Sequence, residues 1–215
     1  MGRGARATDE RVSIRAHYER FPATIKGALV LRGADRDPHQ VQILSATIAE
    51  LAGRDHHAIG VGSMTFDVAP KLDLFVPFEF SVAELGPGWY GFTCEVTIDG
   101  DAAVVRPGDP FPVPWPRATV RRGAVTVAKT VDAGGEKVRL EQIDCSGDSI
   151  KVSYLADRAA PLKLTADGAS VAVIGEEFDE EARRGRVTAY PLLKTQSSLA
   201  IQVRGAASAI EVKLP

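Results

Sequence analysis

Apolar residues along most of this chain recur at every second position. Val12, Ile14 and Ala16 alternate with polar neighbours. Val125 and Val127 do the same, and after a slip the pattern reaches Val131. Val138, Leu140 and Ile143 follow, then Ile150, Val152 and Tyr154, then Val171 and Val173. The last runs are Leu199, Ile201 and Val203, and Ile210, Val212 and Leu214. A period of two sets one row of side chains against a core and the other in water, which predicts strands. Gly134-Gly135, Ser146-Gly147-Asp148, Asp167-Gly168 and Gly205-Ala206 break the runs as turns. Strands separated by turn chemistry every ~8–12 residues predict a sandwich or barrel rather than βαβ units.

Two segments fit less simply. His39 to Ala52 carries Val41, Leu44, Ile48 and Leu51 at helical spacing, yet Val41 and Ile43 also alternate with Gln40 and Gln42. Flanking strands favour reading it as a strand. Glu176 to Arg184 gathers acidic residues around Phe178, with Arg183, Arg184 and Arg186 behind them. It reads as an exposed excursion whose opposite charges pair along a helical turn or across a hairpin.

The sequence divides at Asp109 to Pro116, where Pro110, Pro112, Pro114 and Pro116 occupy alternate positions. Proline lacks a backbone donor, so this stretch is excluded from a central strand and suits a sheet edge or stiff connector. Phe111, Val113 and Trp115 share one side of it, set to pack on a domain or seal the joint. These four prolines lie two apart, never three, which argues against a ligand for proline-recognising domains. The expected organisation is an N-terminal tail over residues 1–10, a first domain over 11–115 and a second over 116–215.

The strongest local motif is Leu85-Gly86-Pro87-Gly88-Trp89-Tyr90, which leads into an alternating strand of Phe92, Cys94, Val96 and Ile98 ending at Asp99-Gly100. Before it, Leu72, Leu74 and Val76 alternate with Asp73 and Phe75 until Pro77. This stretch resembles the crossing corner of immunoglobulin-like and fibronectin type III-like sandwiches. The resemblance implies that the Tyr90 hydroxyl bonds back to an upstream backbone group. Asp99-Gly100 supplies a tight hairpin. The second half resembles immunoglobulin-like accessory modules of bacterial surface and regulatory proteins, through its alternation and turns. That resemblance implies a contact or spacer role. The expected fold is all-β, two consecutive antiparallel immunoglobulin-like β-sandwich domains; fold alone assigns no function.

Composition adds limits. The chain has 215 residues, 45% hydrophobic and 25% charged, long enough to fold without disulfides or metals. A net charge of -2, from 26 basic and 28 acidic residues, supplies no global field for nucleic acid or anionic lipid. Cys94 and Cys145 lie in different expected domains and read as small buried hydrophobes, with an interdomain disulfide as the alternative. The first eleven residues lack the apolar stretch of a secretory signal, and no run approaches the ~20 apolar residues that span a bilayer. A cytoplasmic setting is expected.

Candidate chemistry is sparse. Asp55, His56 and His57 form the one dense cluster with ligand character, and His39 could join it around a zinc ion. Adjacent histidines on a strand face opposite ways, so both could bind one ion only from a loop. No G-x-S-x-G elbow is present, and Gly60-Val61-Gly62 lacks what a phosphate loop needs. The acidic run lacks EF-hand spacing. Arg117, Arg121, Arg122 and Lys129 have one aromatic near them, Trp115, too few for a nucleic-acid face. Phe178 as a docking residue and Trp115 at a ligand pocket are the remaining binding candidates. The reading favoured is a non-catalytic protein-interaction or structural module, partnered by another protein or by itself, with no cofactor, nucleotide, nucleic acid or membrane. The alternatives are a metal-binding or hydrolytic site at Asp55, His56 and His57, and a small-ligand or carbohydrate binder at the domain joint.

Overall fold

A computed structural model describes residues 10–20, 24–53, 56–58, 62–83 and 85–214. Among them the chain forms strands and no α-helix. It divides into two compact units between Val113 and Pro114, each a β-sandwich of antiparallel sheets. Trp115 therefore belongs to the second domain.

The first domain contains β1 (Val12–Arg20), β2 (Thr24–Gly33), β3 (His39–Glu50), β4 (His56–Ala58), β5 (Met64–Val68), β6 (Asp73–Ser81), β7 (Gly88–Ile98), β8 (Asp101–Val105) and β9 (Phe111–Val113). One sheet has the order β1-β2-β6. The other is built on the central pair β3-β7, with β4 and β5 both along the outer side of β3 and β8 and β9 both along the far side of β7. The alternation read from the sequence fills the space between the sheets. Val12, Ile14, Ile25, Leu29, Leu31, Val41, Ile43, Ile48, Phe92, Cys94, Val96 and Ile98 are all buried there. His39 to Glu50 is one strand, with Val41, Ile43, Ala46 and Ile48 facing inward. A register shift between Ile43 and Ser45 lets Leu44 stand out, 43% exposed. That bulge produces the helix-like spacing in the sequence.

The proline run behaves as an edge. Phe111, Pro112 and Val113 pair with Tyr90, Trp89 and Gly88. Successive residues of a strand aim their backbone groups to opposite sides, so the donor missing at Pro112 is one an outer edge can forgo. Phe111 enters the core, 3% exposed, with its ring 5.7 Å from Phe92 and 6.0 Å from Tyr90. The Tyr18 hydroxyl fixes the approach by donating to the Asp109 carbonyl at 2.9 Å. The crossing corner is formed as the resemblance implies: the Tyr90 hydroxyl donates to the Gly86 carbonyl at 3.0 Å, and Tyr90 is 1% exposed.

The second domain contains β10 (Gly123–Asp132), β11 (Lys137–Cys145), β12 (Ile150–Leu155), β13 (Leu162–Ala166), β14 (Ala169–Val171), β15 (Val173–Asp179), β16 (Arg184–Ala189), β17 (Ser198–Val203) and β18 (Ile210–Lys213). Its sheets have the orders β10-β11-β12-β16-β15 and β14-β13-β17-β18. The slip in the valine pattern of β10 is a bulge between Thr126 and Lys129, with Ala128 at φ 48°. The acidic run is no excursion beyond the sheet. It continues β15 and returns through β16 as a hairpin, so Glu177 faces Arg186 and Asp179 faces Arg184 across the strands.

Candidate functional site

Hairpin geometry organises the polar groups of the first domain. Asp99 and Gly100 both have positive φ, 52° and 91°, and they close a two-residue turn between Ile98 and Asp101. This is the mirror-image turn that matches strand twist. The turn places the Asp99 carboxylate beside the start of β3. Asp99 Oδ1 accepts from the Gln40 amide at 2.9 Å, and the Asp99 amide donates to the Gln40 carbonyl at 2.9 Å. Asp99 Oδ2 receives His39 Nδ1 at 2.7 Å, while His39 Nε2 donates to Asp35 Oδ1 at 2.8 Å. Arg11 closes the cluster at 2.9 Å from Asp101 and 3.7 Å from Asp99. The bonds from Asp99 and Asp35 raise the His39 pKa above its ordinary value. Bonds from the Gln40 amide and His39 lower that of Asp99, and the bond from His39 lowers that of Asp35. Both imidazole nitrogens are thus engaged by carboxylates, and a metal would have to displace one of them.

That arrangement bears on the zinc candidate. Asp55 lies outside the described residues. His56 and His57 stand on β4, opposite Ala49 and Ile48. His39 begins β3, roughly 30 Å from Ile48 at about 3.3 Å per residue. The strand register thus separates His39 from the pair instead of joining them. Among the described residues no group of three His, Cys, Asp or Glu is arranged to hold a metal ion.

The second domain repeats the hairpin device with other partners. Asp167 and Gly168, at φ 47° and 83°, close the turn between Ala166 and Ala169. Asp167 Oδ1 accepts from the Ser198 amide at 2.9 Å, and the Asp167 amide donates to the Ser198 carbonyl at 3.2 Å. The Ser197 amide and both serine hydroxyls complete the carboxylate's partners. Led by the Ser197 amide, these bonds hold the Asp167 pKa down at about 2.

The remaining candidates are packed into the second domain. Phe178 is half-buried and stacks on Tyr154, with ring centres 6.3 Å apart. β15 turns it toward the core while Glu176, Glu177 and Asp179 are exposed. Trp115 lies edge-on to Tyr190 at 5.5 Å. Cys94 is fully buried, and burial pushes its thiol up to about 12. Cys145 is half-buried and its pKa is raised, mainly by burial.

Sequence reasoning missed a cleft of about 430 Å³ at one end of the second domain. Its walls are the start of β10 at Arg122 to Val125, Cys145 at the end of β11, Leu214 after β18, and Lys194 on the loop before β17. Arg121 lines it as well, with its guanidinium directed at the backbone: Nε donates to the Gln196 carbonyl at 3.1 Å and a terminal nitrogen to the Lys194 carbonyl at 3.2 Å. Nothing in the sequence spacing joins residues 121, 145, 194 and 214.

No known protein family matches the chain, and no curated protein matches it. Solved structures do. A conserved domain protein from Bacillus anthracis is 11% identical, with 98% of this chain and 90% of that chain covered and a TM-score of 0.37. A marsupial T cell receptor is 10% identical over 95% of this chain and 62% of that chain, with a TM-score of 0.28. The C-terminal domain of the Streptococcus agalactiae AgI/II polypeptide BspA is 12% identical over 93% and 96%, with a TM-score of 0.23. These are resemblances among β-sandwich proteins, and at such identities and scores they assign no activity. Among the described residues no helix is long and apolar enough to cross a membrane.

Proposed function

We propose that this chain is a non-catalytic pair of β-sandwich modules that works by protein contact, with self-association through an exposed sheet edge. The observation that carries this reading is the location of four of its exposed apolar side chains. Met64 (48% exposed), Phe75 (62%), Val104 (63%) and Val173 (37%) lie on β5, β6, β8 and β15, each a strand at a sheet edge. An edge strand offers unpaired backbone donors and acceptors, and apolar side chains on it add burial to any strand that pairs there. The groups suited to chemistry support the same reading from the other side. His39, Asp99 and Asp167 are bound into the fold, and the Cys94 thiol is buried and protonated.

Size-exclusion chromatography with light scattering tests the proposal. A mass that rises with concentration is expected, and lysine at one of Met64, Phe75, Val104 or Val173 should return the chain to a monomer. A strict monomer at high concentration, or association indifferent to all four substitutions, would overturn self-association.

A further inference from the structure

We propose that the cleft of the second domain binds a small amphipathic carboxylate. The site is independent of the protein-contact reading and uses none of the edge residues named for it. Its volume, about 430 Å³, falls in the range that encloses small organic ligands. Its lining divides in two. Ala124, Val125, Cys145 and Leu214 are its apolar residues, and Arg122 and Lys194 are cationic ones, the Arg122 guanidinium lying beside Gly147. Among the described residues that line it there is no carboxylate. A ligand matching both halves carries one anionic head and a short hydrocarbon body. The planar fork of Arg122 suits a carboxylate, and Lys194 adds a point charge.

The cleft is held in shape before any ligand arrives. The Leu193 amide donates to Gln196 Oε1 at 2.7 Å, and the Gln196 amide donates to the Leu193 carbonyl at 3.0 Å. The Lys194 amide donates to the Thr119 carbonyl at 2.9 Å. Arg121 then ties the carbonyls of Lys194 and Gln196 to the strand entering the domain. Arg121 is thus a positioning residue: it fixes the loop that carries Lys194. A loop already ordered loses little freedom on binding. Cys145 contributes no nucleophile, because burial holds its thiol in the neutral form, and the site binds without covalent chemistry.

Titration calorimetry of the whole chain with octanoate and with octanamide tests this. The two probes share a hydrocarbon body and differ in head-group charge. Saturable binding of one octanoate per chain is expected, with octanamide at least tenfold weaker. Arg122→Gln with Lys194→Gln should cost octanoate at least tenfold while leaving the thermal transition in place. No saturable binding at millimolar octanoate would overturn the proposal. So would equal affinity for the two probes, or affinity unchanged in the double variant.

Discussion

Replacing Gly185 by alanine should destabilise the second domain sharply, although alanine is ordinarily the better strand residue. Gly185 sits on β16 with Tyr154 of β12 beside it on one flank and Phe178 of β15 on the other. The two rings meet over it, stacked at 21° with centres 6.3 Å apart. A β-carbon at 185 would lie 1.9 Å from Tyr154 Cζ and 2.3 Å from its oxygen. The ring has little room to retreat, since its hydroxyl oxygen accepts the Ala160 amide at 3.0 Å and its side chain is 3% exposed. Forcing a methyl into such a site costs about 1–3 kcal/mol. Loss of the Tyr154 hydrogen bond adds ~1 kcal/mol. Leaving glycine in a strand interior returns ~0.5–1 kcal/mol. The balance is about 2 kcal/mol of destabilisation, or roughly 8–16 °C in the midpoint of a domain of this size. Scanning calorimetry of the whole chain measures it. The cause is isolated by repeating Gly185→Ala in a Tyr154→Leu background, where the ring is gone and the penalty should largely vanish. A coupling of about 2 kcal/mol between the sites is expected. A Gly185→Ala protein as stable as the parent, or a penalty untouched by Tyr154→Leu, would refute the reasoning.

Other outcomes follow from the same geometry. Tyr90→Phe should lower stability by about 1–2 kcal/mol, because the Gly86 carbonyl loses its partner at the corner; the shift in urea midpoint measures it. The depressed pKa of Asp167 means its contribution is present above the ordinary value of 3.8 and is lost as pH falls through about 2. Melting temperature between neutrality and pH 2 should therefore fall less steeply in Asp167→Asn than in the parent. His39 has the opposite sign: its raised pKa makes its contribution complete below 6.5 and lost as pH rises through the elevated value. Its imidazole carbon protons should titrate by NMR above 6.5, and Asp99→Asn should bring that titration down.

What the sequence revealed and what it hid divide along physical lines. Alternation, Asp-Gly turns and the Leu-x-Pro-Gly approach to Tyr90 are local signals, and each specifies its structure within a few residues. The burial of Val41 and Ile43 was legible for that reason. Leu44 blurred the same segment, because one bulged residue restores a helix-like spacing without any helix. Glu176 to Asp179 misled in another way. An edge strand with one face in water accepts charges at nearly every position, so the single inward residue, Phe178, looked exposed among them. The proline run read as a sheet edge or a connector, and the choice stayed open because its partner, β7, begins more than twenty residues earlier in the chain. The carboxylates that claim His39 and the walls of the cleft come from separate strands. No spacing rule joins Asp35 to Asp99, or Arg122 to Lys194 and Leu214.

The paired Asp-Gly hairpins have a consequence for how the chain tolerates change. At the first position of such a loop asparagine is as acceptable to the backbone as aspartate. At 99 and 167 it would not be an equal exchange, because each carboxylate also latches a strand that the hairpin does not contain, β3 in one case and β17 in the other. An amide has one acceptor oxygen where the carboxylate has two. The loop would close as before while the remote strand frayed at its first residues. Drift at these two tips would register far along the polypeptide, in amide exchange at Gln40 and Ser198 rather than in the turn that had changed.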